Sequence, residues 1–277
     1  IIDGHTEYPY TSTGTDVWDI LKVSDRDPNN SSNVICVYTQ YSIDAAQEYN
    51  DGDGWSREHV WAKSHGDFGT VTGTGTDLHN LKPEDVSVNS TRNNKDFDDG
   101  GTPVTDSSPP TGYDGSTDCL TTSTTWEPPD GVKGDVARII FYMVTRYEGE
   151  NSEVDLEMVN YADSAPALEP YHGVQSTLYS WHVADPVDDF ERNRNDIIHD
   201  YQDNRNPFID HPEYANYIWG GESPSTNPEP TNHITNFTGG KEITITWTDP
   251  SSGTLPDGYL IKINSSGYTS IADPSDG

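Results

Sequence analysis

Apolar residues recur at helical spacing in the middle of the chain, between residues 132 and 147. They lie at i, i+3, i+4, i+7, i+8 and i+11, which is one face of an α-helix: Val136, Ile139, Ile140, Met143, Val144 and Tyr147. The sequence EPPD at residues 127–130 blocks a helix, so this one should begin near Val132. The pattern predicts the central helix of the core.

Two further segments carry element signals. A β-branched and aromatic run at residues 31–41 follows the turn-forming sequence DRDPNN and predicts a strand. Residues 185–202 predict a second helix, and its inward residues would be Val187, Phe190, Ile197, Ile198 and Tyr201. The predicted fold class is α+β, with helices and short strands mixed and much ordered loop.

The composition changes after Trp219, where GGESPSTNPEPTN is typical of a linker. Residues 242–247 then alternate apolar and polar, and residues 258–263 predict another strand. These strands resemble the opening of a fibronectin type III module, although about half of such a sandwich is missing. We therefore predict a large domain at 1–222, a linker at 223–234 and a partial module at 235–277, with the chain stopping inside that module.

Composition adds an extreme charge to this picture. The 277 residues are 31% apolar, with 24 Gly and 19 Pro, and the formal charge is −32 from 47 acidic and 15 basic residues. Such a surface stays soluble and repels anionic partners at low salt. We interpret it as that of a halophile-like or marine secreted protein, with polycation binding as the alternative. No run of 18 apolar residues exists, so we predict no membrane partner. We also expect a monomer.

The two cysteines bear on the cellular compartment. Cys36 and Cys119 have no C-x-x-C spacing, which disfavours zinc and thioredoxin-like sites. We expect them to form a structural disulfide in an oxidising compartment, with two separate buried thiols as the alternative. The sequence opens at Ile1 without Met, which we interpret as a processed, exported protein.

Three polar blocks follow one another between residues 55 and 94: WSREHVW, DLHNLKP and VNSTRNN. They contain the carboxylate of Glu58, the imidazole of His59 and the carboxamide of Asn89. Oxygen ligands of this kind suit a hard divalent cation, and a neutral imidazole suits proton transfer from water. A Glu-His pair alone is a weak signal, but the three blocks in this order are specific and indicate a phosphodiesterase.

These blocks resemble the bacterial endonuclease I family of periplasmic and extracellular nucleases, in the ββα-metal, or His-Me finger, superfamily. Further blocks share the resemblance, which covers roughly residues 4–220: WEPPDGVKGDVARIIFYMVTRY, WHVADPVD and QDNRNPFIDHPE. The resemblance implies a fold built around a ββα-metal finger. It also implies a Mg²⁺-dependent, sequence-nonspecific endonuclease acting on DNA, and on RNA, to leave 5′-phosphate ends.

The resemblance assigns roles to the three polar residues. His59 would be the general base that takes a proton from the attacking water, while Glu58 and Asn89 would hold a single Mg²⁺. Spacing alone leaves three other carboxamides close by: Asn80, Asn93 and Asn94. Asn93 is the first of these to consider as a replacement ligand.

Basic residues near the motif are candidate phosphate contacts. Arg92 falls on the predicted helix of the finger, where it would either clamp the scissile phosphate or pair with a nearby aspartate. Arg57, Lys63 and Lys82 are further candidates, or solvated surface charges. Family relatives place an arginine in the following loop, whereas residues 66–77 here contain no Lys or Arg. The source of the phosphate clamp therefore stays open.

Two other classes of function are weighed against a nuclease. A zinc hydrolase using His59, His65 and His79 is disfavoured, because the spacings match no common zinc motif, and we interpret His79 as structural. The second class is a non-enzymatic, acidic calcium-binding secreted or adhesive module. Its Ca²⁺ would bind in carboxylate-rich loops at residues 25–30, 51–54 and 96–99, none of which has the full EF-hand pattern.

The charge predicts an unusual salt dependence of cleavage. Most nucleic-acid-binding proteins lose affinity with salt through counterion release, but here the long-range term is repulsion between two polyanions. Screening at about 1 M salt shortens the Debye length to about 3 Å, so cleavage should survive or rise there. Initial rates over a salt series measure this. A steady fall from about 50 mM upward, as for a basic nuclease, would contradict it.

Overall fold

The computed structural model describes residues 4–162 and 169–220. Its helices within these residues are α1 (Val17–Ser24), α2 (Val86–Arg92), α3 (Lys133–Arg146), α4 (Gln175–Ala184), α5 (Asp189–Gln202), α6 (Pro207–Asp210) and α7 (Glu213–Trp219). Its strands are β1 (Arg26–Asp27), β2 (Asn30–Ile35), β3 (Ser42–Asp44), β4 (Trp55–His59), β5 (Leu81–Asp85), β6 (Asp96–Phe97), β7 (Thr102–Thr105), β8 (Ser116–Thr121), β9 (Thr125–Glu127), β10 (Glu157–Met158) and β11 (Tyr171–His172).

The strands form several small sheets rather than one large one. β1, β2 and β3 make an antiparallel sheet, β4 pairs with β5, and β10 pairs with β11. The remaining sheet has the order β6-β9-β8-β7, in which β6 runs parallel to β9. Helices mixed with short, separate sheets confirm the predicted α+β class.

The predicted central helix is α3, which begins at Lys133 after a single 3₁₀ turn. Its predicted face is buried at Val136, Ile140 and Met143, but Val144 is only half-buried. Burial extends to the opposite side, where Arg138 is fully enclosed and forms a bidentate ion pair with Glu191 of α5. The helix is therefore surrounded by protein, which a one-sided apolar pattern does not reveal.

The other element predictions are also confirmed, with different ends. The strand predicted at residues 31–41 is β2, which stops at Ile35 because the chain turns at Gln40, where φ is +56°. The second predicted helix is α5, whose first turn is closed by a reciprocal capping box between Asp188 and Glu191. Of its predicted inward residues, Ile198 is fully buried.

A hydrophobic core lies between α1, α5 and the strands β2 to β5. Its fully or almost fully buried members include Val17, Ile20, Leu21, Val34, Ile43, Trp55, Leu78, Leu81 and Ile198. The antiparallel hairpin of β4 and β5 crosses this core, in register from Trp55 opposite Asp85 to His59 opposite Leu81. Burial of Trp55 and Leu81 at its two ends fixes that register.

Helix α2 follows β5 without an intervening loop. Asp85, the last residue of β5, caps the helix by accepting hydrogen bonds from the backbone N–H groups of Ser87 (2.8 Å) and Val88 (3.1 Å). The order β4, β5, α2 is a ββα finger, as the family resemblance implies. The finger places the end of β4 beside the last turn of α2, where Arg92 reaches Glu58.

The described residues up to Ala215 form one compact unit. The predicted linker at 223–234 and the partial fibronectin-like module at 235–277 lie outside the described residues. Within residues 4–162 and 169–220, each helix is too short or too polar to cross a bilayer.

The disulfide predicted between Cys36 and Cys119 is wrong for this structure, in which both side chains are free, fully buried thiols. Cys36 packs in the hydrophobic core, and the Sγ atom of Cys119 instead lies 3.6 Å from the carbonyl oxygen of Tyr38. Burial raises the pKa of both thiols, which keeps them protonated and unreactive. The structure therefore supports the alternative of two structural cysteines.

Two buried thiols have a simple chemical signature. The native protein should not react with a thiol reagent such as DTNB. The protein unfolded in guanidinium without reductant should react at both cysteines and release two equivalents of thionitrobenzoate per chain. Mass measurement with and without reductant should show no change. Absence of reaction in denaturant, with both thiols appearing only after reduction, would restore the disulfide.

Candidate active site

The end of β4 presents Glu58 and His59 to opposite sides of the strand. Side chains alternate along a strand, so Glu58 shares one face with Ser56, and His59 shares the other with Arg57. Helix α2 lies against the first face, where the Nδ2 atom of Asn89 donates to Ser56 Oγ at 3.0 Å. Glu58 is 2% exposed and His59 is 5% exposed. Glu58 is thus held on the face that α2 covers, and His59 on the opposite face, at one end of a short strand.

The tautomer of His59 is set by a backbone carbonyl. Its Nε2 atom lies 2.9 Å from the carbonyl oxygen of Gly75, which can only accept a hydrogen bond, so Nε2 carries the proton. The lone pair of the neutral ring is therefore on Nδ1. Burial lowers the pKa of His59 to about 3, opposed by the hydrogen bond to Gly75 and assisted by nearby cations. His59 is a neutral base at neutral pH.

Close packing of the loop around Gly75 holds this carbonyl in place. A Cβ atom at residue 75 would stand 2.8 Å from the Gly69 carbonyl oxygen and 2.9 Å from Thr70 Cα. Only glycine fits without a shift of the backbone. The sequence TGTGTD shows a glycine there, but a carbonyl group carries no sequence signal, so its contact with His59 was not predicted.

Asp77 anchors the same loop to the rest of the domain. Its Oδ2 atom accepts hydrogen bonds from the hydroxyls of Tyr142 and Tyr147, both at 2.8 Å, from the end of α3. Its Oδ1 atom accepts from Gln202 Nε2 of α5 at 3.0 Å. A buried carboxylate with three side-chain donors is costly to displace. Asp77 therefore fixes the position of Gly75, two residues before it.

Glu58 has two partners that were not predicted. Its Oε1 atom accepts from the hydroxyl of Tyr38 at 2.8 Å and lies 3.2 Å from Arg92 Nη1. Burial raises the pKa of Glu58, while Arg92 and Tyr38 act against that rise. These contacts use Oε1, so the carboxylate is held by one oxygen and Oε2 takes part in neither contact.

Arg92 is fully buried, and its guanidinium binds the protein itself. It donates to the carbonyl oxygens of His59 at 3.1 Å and Val60 at 2.7 Å. Of the two roles considered from the sequence, this geometry favours an ion pair over a phosphate clamp, and the partner is Glu58 rather than an aspartate. Because Arg92 is 0% exposed, substrate could reach it only after a rearrangement.

The donor set at this end of β4 fits a hard divalent cation. Glu58 supplies a carboxylate, and the hydrogen bond of Asn89 Nδ2 to Ser56 leaves the Oδ1 atom out of that contact. One carboxylate and one carboxamide suit Mg²⁺, which keeps several waters in its coordination shell. Within the described parts of the chain, no three His, Cys, Asp or Glu side chains surround a common point, so the zinc alternative finds no support.

The sequence of residues 1–213 matches the endonuclease I family. The chain belongs to this family. It is 53% identical over 222 residues to an extracellular ribonuclease of Bacillus subtilis (strain 168), covering 79% of this chain and 71% of the relative. It is 50% identical over 220 residues to an extracellular ribonuclease of Bacillus amyloliquefaciens, covering the same shares. Membership confirms the resemblance and makes the chain a phosphodiester-hydrolysing nuclease.

The three predicted phosphate contacts of this endonuclease I chain differ in their surroundings. Lys63 is exposed and forms no ion pair with another described residue. Burial has the largest influence on the pKa values of His59 and Glu58, and the positive charge of Lys63 then helps to lower both. Lys63 is therefore the accessible cation near the site.

Lys82 is enclosed on the other side of the hairpin. It is 3% exposed, and its Nζ atom lies 2.7 Å from Asp25 Oδ1. It lines a cavity of about 230 Å³ together with Asp27, Asp135 and Asp188, which would repel a phosphate. The structure thus gives Lys82 a structural ion pair. Arg57 is half-buried between aromatic rings, an arrangement taken up below.

The remaining predicted residues lie around the site rather than in it. His79 is buried, packs on Tyr142 with ring centroids 4.5 Å apart, and has a pKa lowered by burial to about 4, which matches a structural histidine. Asn93 ends α2 with a φ of +57° and an exposed side chain. Asn80 bridges the backbone N–H and carbonyl of Trp61. Asn89 is thus the carboxamide that faces β4.

Burial of neutral His59 predicts how stability depends on pH. The pKa is about 3 in the folded chain and about 6.5 when unfolded, so between these values the unfolded state binds more protons. The free energy of unfolding should therefore fall as pH decreases from 6.5 towards 4. The contribution of His59 has a slope of about 1.4 kcal/mol per pH unit.

Urea unfolding of the native protein and of His59→Gln at several pH values measures this contribution, because other titrating groups are common to both. The variant should lose stability less steeply below pH 6.5. Parallel curves for the two proteins would show that His59 is protonated in the folded state.

Proposed function

We propose that this endonuclease I chain is a secreted, sequence-nonspecific endonuclease that hydrolyses RNA and DNA to 5′-phosphate ends. His59 acts as general base and one Mg²⁺ binds at Glu58 and Asn89. The observation that carries the proposal is the hydrogen bond from His59 Nε2 to the Gly75 carbonyl, which leaves the lone pair of the neutral ring on Nδ1, at the residue next to Glu58. The names of the relatives as extracellular ribonucleases support secretion and RNA as a substrate.

The chain itself supplies the proton transfer. Nδ1 of His59 accepts the proton of the attacking water, and the resulting imidazolium keeps its Nε2–H bond to Gly75. That hydrogen bond becomes charge-assisted and is stronger in the protonated state. The carbonyl thus orients the base before the reaction and stabilises its charge afterwards.

Glu58 and Asn89 hold the metal in this proposal, and Arg92 keeps Glu58 in position through its Oε1 atom. Bound Mg²⁺ supplies charge stabilisation at the phosphate and at the leaving 3′-oxygen. Lys63 is the accessible cation for a neighbouring phosphate. Contacts to phosphate carry no sequence information, which supports nonspecific cleavage.

Attack by water removes any need for the 2′-hydroxyl of RNA. A mechanism that uses that hydroxyl as the nucleophile would give a 2′,3′-cyclic phosphate and would not cleave DNA. Attack by water with departure of the 3′-oxygen gives a 5′-phosphate from both polymers. Because His59 is placed to activate water, we propose that DNA and RNA are cleaved by the same chemistry.

Carboxylates that the calcium-binding alternative would use are bonded within the chain. Asp25 forms ion pairs with Lys82 and Arg194, Asp96 Oδ1 lies 3.0 Å from Nδ1 of the neutral His172 ring, and Asp53 accepts from the hydroxyl of Ser108. These carboxylates come from the three acidic loops identified in the sequence. Because each is bonded within the chain, no observation favours a calcium-loaded scaffold over a nuclease.

The proposal predicts a large loss of cleavage when the base is removed. His59→Ala should lower the rate on plasmid DNA and on RNA by about 100- to 10,000-fold, the range typical of a general base. His199→Ala is the matched control, because it removes an exposed histidine from α5. Native activity should need Mg²⁺ and disappear in EDTA. Full activity of His59→Ala, or cyclic phosphate at the new ends, would overturn the mechanism.

A second pair of variants in the same assay separates the two carboxamides. Asn89→Ala should require a higher Mg²⁺ concentration for half-maximal rate, because it removes a metal ligand. Asn93→Gly is its control, since glycine retains the positive φ that ends α2. If Asn93→Gly shifts the Mg²⁺ dependence and Asn89→Ala does not, Asn93 is the ligand.

A further inference from the structure

Aromatic rings border the face of β4 that carries Arg57 and His59. The ring of Tyr10 lies nearly parallel to the imidazole, at 20°, with ring centroids 5.8 Å apart. The ring of Phe68 approaches the imidazole from the following loop, with centroids 6.2 Å apart. All three rings lie within reach of a nucleotide whose phosphate is attacked beside His59.

Arg57 extends this aromatic surface along the strand. The Cζ atom of its guanidinium lies 3.3 Å from the ring centroid of Tyr10 and 4.0 Å from that of Trp18. Its Nη1 atom donates to the Tyr10 carbonyl and to Thr11 Oγ1. A guanidinium that is stacked on rings and hydrogen-bonded to the chain presents a flat, weakly hydrated surface. It is less available for bidentate binding of a phosphate.

Exposure and charge distinguish this surface from the rest of the protein. Tyr10, Trp18 and Phe68 are half-buried, so each keeps part of its ring accessible, and nearby Val71 is 74% exposed. The loop at residues 66–77 has no basic residue, and its two aspartates are Asp67 and the buried Asp77. Uncharged planar groups fit such a surface better than phosphates do.

We propose that Tyr10 and Phe68 stack on the nucleobases flanking the scissile phosphate, so that the preferred substrate is single-stranded nucleic acid. This inference rests on the proposed nuclease function and names its substrate class. Every base has a π-face, so stacking on aromatic side chains tolerates any sequence. Bases in a duplex are already stacked and paired, and they cannot reach these rings without being pulled out.

Stacking also answers the charge problem of this protein. With a net charge of −32, the body of the protein repels a polyanion at long range. Stacking acts at short range and does not depend on ionic strength in the way that phosphate contacts do. Loss of one stacked base typically lowers affinity by about 5- to 150-fold.

The test uses a single-stranded oligonucleotide in which all linkages except one central phosphodiester are methylphosphonates, so that cleavage occurs at one known position. A matched strand carries abasic residues on both sides of that linkage. The native protein in Mg²⁺ should cleave the abasic strand with a kcat/KM lower by at least about 5-fold, the lower limit for the loss of a single stacked base. Annealing the intact strand to its complement should lower the rate by about 10-fold or more.

Variants of Tyr10 and Phe68 then test whether the lower kcat/KM on the abasic strand depends on their rings. Tyr10→Ala and Phe68→Ala should cleave the intact strand more slowly and should discriminate less between the intact and the abasic strand. Tyr10→Phe retains the ring and should keep the native discrimination between the intact and the abasic strand. Tyr10→Ala also removes a ring that packs on Arg57. Phe68→Ala leaves that contact in place and therefore tests stacking independently.

The outcomes separate the two proposals. Equal cleavage of intact and abasic strands by the native protein would overturn the stacking inference, and so would an abasic penalty that is unchanged in both alanine variants. Equal rates on the single strand and the duplex would overturn the preference for single strands. Failure to cleave any strand in Mg²⁺ would instead overturn the nuclease proposal, and the substrate class with it.

Discussion

The buried guanidinium of Arg92 is the contact on which the geometry of the site depends. From the end of α2 it reaches Glu58 and the carbonyl oxygens of His59 and Val60, and its Nη2 atom lies 3.2 Å from His172 Nε2. It thus ties the strand end of the finger to its helix and to β11. A buried carboxylate without such a partner would be strongly destabilising. Glu58 is therefore held in place before any metal binds, and Arg92 opposes the rise in its pKa that burial causes.

The second constraint comes from elements distant in sequence. The carbonyl of Gly75 orients His59, and Asp77 fixes that carbonyl through Tyr142 and Tyr147 of α3 and Gln202 of α5. The imidazole of His59 is thus set by the core helices and not by the finger alone. A short two-stranded hairpin is marginal by itself, and these contacts supply the rigidity that the proposed base needs for proton transfer.

The sequence revealed the parts of this site that depend on residue type and local order. Apolar periodicity located α3, and the ordered blocks around Glu58, His59 and Asn89 predicted the ββα finger. Contacts between side chains that are far apart in the sequence could not be predicted in the same way. No residue near Glu58 in the sequence indicates that Tyr38 is its partner. The mixture of charges around Lys82 likewise does not indicate that its side chain is buried against Asp25. The expected disulfide failed for the same reason, since cysteine count says nothing about whether two thiols meet.

Burial of the basic residues makes the surface even less attractive to nucleic acid than the net charge suggests. Arg92, Arg138, Arg194 and Lys82 are all buried and form ion pairs with Glu58, Glu191 and Asp25. These cations stabilise the fold and cannot steer a polyanion. Attraction must then come from contacts that act within a few ångströms, where salt screening has little effect. The proposed metal at Glu58, the ammonium of Lys63 and the proposed stacking rings beside His59 would be contacts of that kind, because each would act only on a substrate already in place.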